Sequence, residues 1–94
     1  MIFSRKYPGF FRYEKAYDLG VLMREWREEY AKDPVGKGKE RCAYLHRLTG
    51  VEPRAIFAWG FLQCVSTGLL YWSIDPNVGR ELLDIAEAWL EIDP

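Results

Sequence analysis

The stretch of residues 54–72 constrains the fold more than any other part of the chain. After its first residue no charged side chain occurs until Asp75, and apolar side chains point to every side of a 3.6-residue helical turn. A helix with that pattern is typically surrounded by other protein segments. Gly60, Cys64 and Gly68 recur at intervals of four, which indicates a face of small residues that a neighbouring helix can approach closely. We therefore predict a central, buried helix over residues 54–72.

Length and charge limit the class of protein. A chain of 94 residues with 49% hydrophobic and 16% aromatic residues is long enough for one domain with one core. The net charge of -1 gives no general attraction to nucleic acid or to anionic membranes, so neither is expected as a partner. Gln63, Ser66 and Thr67 interrupt the long uncharged stretch, and no basic cluster flanks it, which favours a buried helix over a membrane span.

Cysteine usage favours a cytoplasmic protein. Cys42 and Cys64 form no CxxC pair, and no secretory signal precedes them. Both fall at positions compatible with a helix core. We expect reduced thiols whose role is packing.

The first half of the chain combines an extended segment with helices. Residues 1–15 are rich in Phe, Tyr and Ile around Tyr7-Pro8-Gly9, which predicts two short strands and a turn, that is, a β-hairpin. From Ala16 to Tyr30 the apolar residues follow a helical period, and Asp33-Pro34 is expected to end that helix. Residues 36–39, Gly-Lys-Gly-Lys, are expected to form a polar link; they lack the spacing of a phosphate-binding loop.

The second half adds three helices. The first runs from about residue 39 to Thr49, with Gly50 as its stop, and the central helix follows Pro53. Asp75 and Pro76 should serve as N-cap and first residue of the last helix. Its inward face is expected to consist of Val78, Leu82, Ile85, Ala86 and Trp89. The prediction is a single, mainly-α domain over residues 1–94: a four-helix bundle-like unit over residues 16–94, preceded by the extended or hairpin segment 1–15.

Residue types that carry chemistry are sparse. His46, the only histidine, has no acidic or cysteine partner at a useful helical spacing, so we interpret it as a partly exposed helix residue. Paired acid–base carboxylates, zinc-ligand spacing and a nucleotide-binding glycine loop are all missing from the sequence. We therefore predict no catalytic residue, no metal site and no cofactor.

Two surfaces are candidates for binding. An acidic row with spacings of three and four on the last helix could attract a polycationic ligand such as an aminoglycoside, although such rows are more often only solvated faces. Its members are Glu81, Asp84, Glu87 and Glu91. An N-terminal aromatic cluster could mediate self-association, or could fold back on its own bundle. Its members are Phe3, Tyr7, Phe10, Phe11 and Tyr13.

Four stretches, in this order and spacing, also resemble a known family. They are Lys15-Ala16-Tyr17-Asp18-Leu19-Gly20-Val21-Leu22-Met23-Arg24-Glu25-Trp26, Arg41-Cys42, Leu48-Thr49-Gly50-Val51, and the run from Ala58-Trp59-Gly60-Phe61 to Val65-Ser66-Thr67-Gly68-Leu69-Leu70. Together they are similar to the C-terminal helical part of streptomycin-type aminoglycoside phosphotransferases. The resemblance covers roughly residues 9–89.

The resemblance implies the end of the C-lobe of a protein-kinase-like fold, without the catalytic parts. Such kinases need a phosphate cover, a strand lysine, a catalytic-loop aspartate and a metal-binding aspartate. The chain lacks the first three, and the stretch corresponding to the fourth, residues 5–11, contains no carboxylate. Asp18 is the one acidic residue that carries over, and we expect it to accept backbone N–H groups at the start of the first helix. The chain should be inactive alone.

Three functional hypotheses follow. The first is a non-catalytic module, or remnant, related to the C-lobe, which self-associates. The second is a module that binds an aminoglycoside or another cationic ligand through its acidic surface. The third is one half of a kinase whose other lobe is encoded separately.

Overall fold

The structure, a computed structural model, describes the backbone of residues 8–92 and the side chains of residues 15–92. This part of the chain forms five helices and contains no strand. The helices are α1 Pro8–Glu25, α2 Arg27–Tyr30, α3 Pro34–Thr49, α4 Pro53–Trp72 and α5 Pro76–Trp89. The predicted mainly-α fold is confirmed. The central helix is α4, which packs chiefly against α1 and α5.

The N-terminal hairpin prediction is wrong for residues 8–15, because these residues belong to α1. Pro8 is the first residue of the helix, where the missing N–H removes no hydrogen bond, so the Pro-Gly pair begins a helix instead of forming a turn. Residues 1–7 lie outside the described part. Asp18 is consequently in the interior of α1 and not at its start, so the capping role predicted for it is also wrong.

The single helix predicted over residues 16–30 is divided at Trp26. Its backbone dihedrals, φ -90° and ψ 22°, separate α1 from the four-residue α2. The Trp26 ring packs edge-to-face against Tyr44 of α3, and the Arg41 guanidinium lies 4.7 Å from the ring centroid. Arg41 also donates hydrogen bonds to Glu29 of α2. These contacts join α2 to α3.

Residues 36–39, which were predicted to form a polar link, instead lie in the first turns of α3. Asp33 is the N-cap, and its carboxylate accepts a hydrogen bond from Gly36 N at 2.9 Å, while Pro34 occupies the first turn. The Asp-Pro pair thus begins a helix as well as ending the preceding one. Gly38 is buried, and a Cβ atom there would lie 2.5 Å from Nε1 of Trp89. A tertiary contact therefore explains a glycine that the sequence alone suggested was part of a link.

The small-residue face of α4 is confirmed. Gly60, Cys64 and Gly68 are all buried. At Gly68 the backbones of α4 and α5 approach so closely that a Cβ atom on Gly79 of α5 would lie 2.8 Å from the Gly68 carbonyl oxygen. On the other side of α4, a Cβ atom on Gly20 of α1 would lie 2.6 Å from Cβ of Trp59. Glycines therefore let both neighbouring helices pack closely against α4.

The last helix matches its prediction. Asp75 is the N-cap and accepts hydrogen bonds from Asn77 N and Val78 N. Of the predicted inward residues, four are buried and one is partly buried. They are Leu82, Ile85, Ala86 and Trp89, with Val78 at the margin.

Trp89 joins four helices. Its Nε1 donates a 2.7 Å hydrogen bond to the Pro34 carbonyl of α3. Its ring packs edge-to-face against Tyr30 of α2, at 5.0 Å between centroids, and against Phe57 of α4, at 5.5 Å. Because such aromatic pairs add to area burial, this residue is a major part of the core.

Candidate functional site

The outward side of α4 differs from the prediction more than any other part of the described structure. Helix α4 was expected to be enclosed on all sides, but Leu62 is 50% exposed, Leu69 62% and Trp72 50%. Ala58 and Ser66 on the same side are exposed as well. We call these five residues the α4 outer face. It lies opposite the buried small residues, because α1 and α5 pack along the other sides of the helix.

The composition of this face is unusual for a surface helix. Between Arg54 and Asp75 the helix has no charge, so its outer face consists of leucines, a tryptophan and small residues. Ser66 satisfies its own hydroxyl group by donating to the Leu62 carbonyl at 2.9 Å. Contiguous apolar surface of this kind is typical of interaction sites. Within residues 8–92, α4 is also the one helix long and apolar enough to cross a membrane, a property that core helices share.

A groove of about 430 Å³ lies beside the end of α4, where α1 stops. Arg24 of α1 lines it and donates hydrogen bonds to the Gln63 side chain at 3.0 Å and to the Thr67 hydroxyl at 3.1 Å. Arg27 donates to Glu81 of α5 at 2.7 Å. Both guanidinium groups thus join α1 and α2 to neighbouring helices, which is a structural role that the sequence did not reveal.

The acidic row on α5 does not act as one surface. Glu81 is paired with Arg27, so its charge is largely compensated. Glu81 and Asp84 line a second hollow of about 290 Å³ beside Tyr30, and Arg80 lines the same hollow. Glu87 is exposed further along α5, and Glu91 is exposed in the turn that follows the end of α5 at Trp89. The hollow therefore contains carboxylates of two of the four predicted residues, together with one guanidinium group.

The predicted aromatic cluster falls outside the residues whose side chains the structure describes. Its members, Phe3, Tyr7, Phe10, Phe11 and Tyr13, remain a prediction from sequence.

The two thiols are buried, as predicted. Burial raises the pKa of Cys42 to about 11 and that of Cys64 to about 12, so both are protonated at neutral pH. Cys42 donates a hydrogen bond to the Pro53 carbonyl at 3.5 Å. Such thiols are poor nucleophiles, which fits a packing role.

His46 and Tyr30 also have structural partners. Nδ1 of His46, an exposed side chain, lies 2.7 Å from the Val51 carbonyl oxygen. The buried hydroxyl of Tyr30 donates to Sδ of Met23 at 3.8 Å, and burial raises the pKa of Tyr30. Among the residues that the structure describes, no three His, Cys, Asp or Glu side chains are grouped to hold a metal ion.

The class that these features define is a mainly-α domain with an exposed apolar helix face. Comparison with known proteins gave no matching family model, no similar curated protein and no similar solved structure. Function is accordingly inferred from the residues of the chain itself.

Proposed function

We propose that this protein is a non-catalytic helical module that associates with a second copy of itself through the α4 outer face. The observation that carries the proposal is the exposure of Leu62, Leu69 and Trp72 on the longest helix of the described chain. Burying such side chains between two copies stabilises a complex, because the hydrophobic effect scales with the apolar area removed from water. Self-association is retained from the sequence-based hypothesis, but a different surface is assigned to it.

The chemistry of the described residues supports a contact role. Both thiols are buried and protonated, and Arg24, Arg27 and Arg41 are engaged in hydrogen bonds between helices. The resemblance to the C-lobe of aminoglycoside phosphotransferases supports the same role, since the matching stretches lie outside the catalytic parts of such enzymes. We include descent from that C-lobe in the proposal.

Sedimentation velocity between about 5 and 100 μM tests the proposal, since that range covers typical weak homodimers. We expect a dimer for the unmodified chain and a monomer for Leu69→Glu, because a charge in an apolar interface is left unpaired and desolvated. Leu48→Glu is the matched control. Leu48 is 64% exposed on α3 and lies outside the α4 outer face, so the variant adds the same charge at an equally exposed leucine.

Two results would contradict the proposal. One is a monomeric unmodified chain over the whole concentration range. The other is equal dimerisation of the Leu69→Glu and Leu48→Glu variants, which would mean that the α4 outer face takes no part.

The hollow beside Tyr30 favours a second candidate function, binding of a small cationic ligand such as an aminoglycoside. Asp84 is exposed at its edge, and Glu81 lines it. Arg80 and the Arg27–Glu81 pair reduce the negative charge there, which makes this candidate the weaker of the two. Calorimetric titration and thermal unfolding with streptomycin at low salt test it: heat that disappears in Asp84→Asn supports binding, and absence of both heat and a thermal shift excludes it.

A further inference from the structure

The groove beside the end of α4 is lined by apolar and cationic side chains together. Its apolar or aromatic lining residues are Leu70, Tyr71, Val78 and Leu82, and its polar ones are Arg24, Glu25, Arg27 and Thr67. The volume of about 430 Å³ lies within the range typical of small-molecule sites, roughly 300–1,000 Å³. We call this groove the Arg24 groove.

The two arginines of the Arg24 groove have N–H donors that no described residue accepts. A guanidinium group carries five such donors. Arg24 donates twice from Nη1, to neutral oxygens of α4, and once from Nη2, to Glu25. Arg27 donates once, from Nη1 to Glu81. More than half of the donors on the two guanidinium groups are therefore left for water or for a ligand.

The charges around the Arg24 groove suit a ligand with a single negative charge. Two guanidinium groups and one carboxylate line it, and both arginine side chains are partly buried. Glu25 is exposed, so water screens its charge more than theirs. Glu81 compensates part of the Arg27 charge, but it lines the neighbouring hollow beside Tyr30. A carboxylate therefore matches this groove better than a phosphate group, whose charge is close to two.

The apolar residues of the groove specify the rest of the ligand. Leu70 is 61% exposed and Tyr71 is also exposed, so a hydrocarbon or aromatic body that covers them removes apolar surface from water. An arginine fork binds a carboxylate through hydrogen bonds that are stronger than those between neutral groups. A molecule with both parts uses both kinds of lining residue, whereas a simple anion or a plain hydrocarbon uses only one.

We infer that the Arg24 groove binds a small amphipathic monocarboxylate, whose carboxylate accepts hydrogen bonds from Arg24 and Arg27 and whose apolar body covers Leu70 and Tyr71. The site does not depend on self-association, because neither Leu70 nor Tyr71 belongs to the α4 outer face.

Titration with octanoate, followed by nuclear magnetic resonance of leucine and valine methyl groups, tests the inference. Leu70, Val78 and Leu82 report from inside the groove, so the largest shifts should occur at these three residues. We expect a dissociation constant on the order of 0.1–1 mM for a ligand of this size. Octanol, which has the same chain and no charge, should bind at least about tenfold more weakly.

Leu70→Glu blocks the site without disturbing the core. The new carboxylate stands in the groove beside the guanidinium groups and competes with the ligand, so octanoate binding should weaken by at least about tenfold. Leu70 is exposed, so the variant should keep its fold. Leu48→Glu is the matched control, because Leu48 is 64% exposed and does not line the groove. It should bind octanoate as the unmodified chain does.

Four results would overturn the inference. They are the absence of saturable shifts with octanoate, equal binding of octanoate and octanol, equal octanoate binding by the Leu70→Glu and Leu48→Glu variants, and shifts centred on Leu62 and Leu69 of the α4 outer face. The outcome of sedimentation decides none of them, so the proposed self-association and the ligand site can fail separately.

Discussion

Replacing Gly79 with alanine tests the closest helix contact in the protein. A Cβ atom at this position would lie 2.8 Å from the Gly68 carbonyl oxygen, 2.9 Å from Trp72 N and 3.0 Å from Trp72 Cα. All three are backbone atoms of α4, so no side-chain rotation can make room. Helices α4 and α5 would have to separate by roughly half an ångström to restore ordinary van der Waals distances.

The size of the effect follows from two opposing terms. Overpacking of a close contact typically costs about 1–3 kcal/mol, and the upper part of that range, about 2–3 kcal/mol, applies here because the opposing atoms are backbone atoms that cannot rotate away. Alanine recovers up to about 1 kcal/mol of helix propensity relative to glycine. We therefore expect Gly79→Ala to lower the free energy of unfolding by about 1–2 kcal/mol, which corresponds to a fall in Tm of roughly 5–15 °C for a domain of this size.

Thermal unfolding followed by circular dichroism at 222 nm measures this change. Ser66→Ala is the control, because Ser66 is exposed on α4 and its replacement should change stability by no more than about 0.5 kcal/mol. Gly68→Ala provides a further comparison. Its added Cβ would meet mainly the Leu83 side chain, at 2.9 Å, so Leu83→Ala should partly relieve that clash. A Tm for Gly79→Ala equal to or above that of the unmodified chain would refute the close packing of α4 against α5.

Three further predictions concern the core, a helix cap and the pH dependence of stability. Gly38→Ala should displace Trp89 from its position against α3, lowering stability by about 2–4 kcal/mol and shifting tryptophan fluorescence to longer wavelength. Asp75→Ala should cost about 1 kcal/mol in urea unfolding and Asp75→Asn much less, because asparagine also caps helices. Burial raises the pKa of Cys42 and Cys64, so at high pH the native state binds more protons than the unfolded state. The stability that these two thiols contribute should therefore be complete below about pH 8.5 and lost towards pH 11–12. Urea unfolding at pH 8 and pH 10.5 checks this, and a variant with alanine at both positions should show the shallower decline; an unchanged decline would contradict it.

Local signals in the sequence were sufficient to predict several structural elements. The Asp75-Pro76 pair predicted the start of α5, and the apolar residues after it predicted its inward face. Gly50 was predicted as a helix stop, and it has the left-handed conformation, φ 75°, that glycine adopts without strain. These features depend on residues within one or two turns of each other, so a single sequence contains the information.

Errors arose where distant parts of the chain decide the outcome. Residues 36–39 contain two glycines and two lysines, a composition typical of a link, yet Asp33 caps a helix there and Trp89 packs against Gly38 from 51 residues further along the chain. Pro8 and Gly9 are typical of a turn, yet they begin α1, which packs along α4. A local pattern cannot report which segment fills the space beside it.

The sequence by itself determined that the protein is helical, that an uncharged helix lies at its centre and that small residues form one side of that helix. Only the tertiary structure decided which sides of α4 are covered. Helices α1 and α5 pack on the sides where glycines allow backbones to come close, and the opposite side, with Leu62 and Leu69, is left in water. The physical reason is that apolar residues on every side of a helix indicate only that their burial is favourable. The number and placement of the neighbouring helices determine which of those residues are buried within one chain.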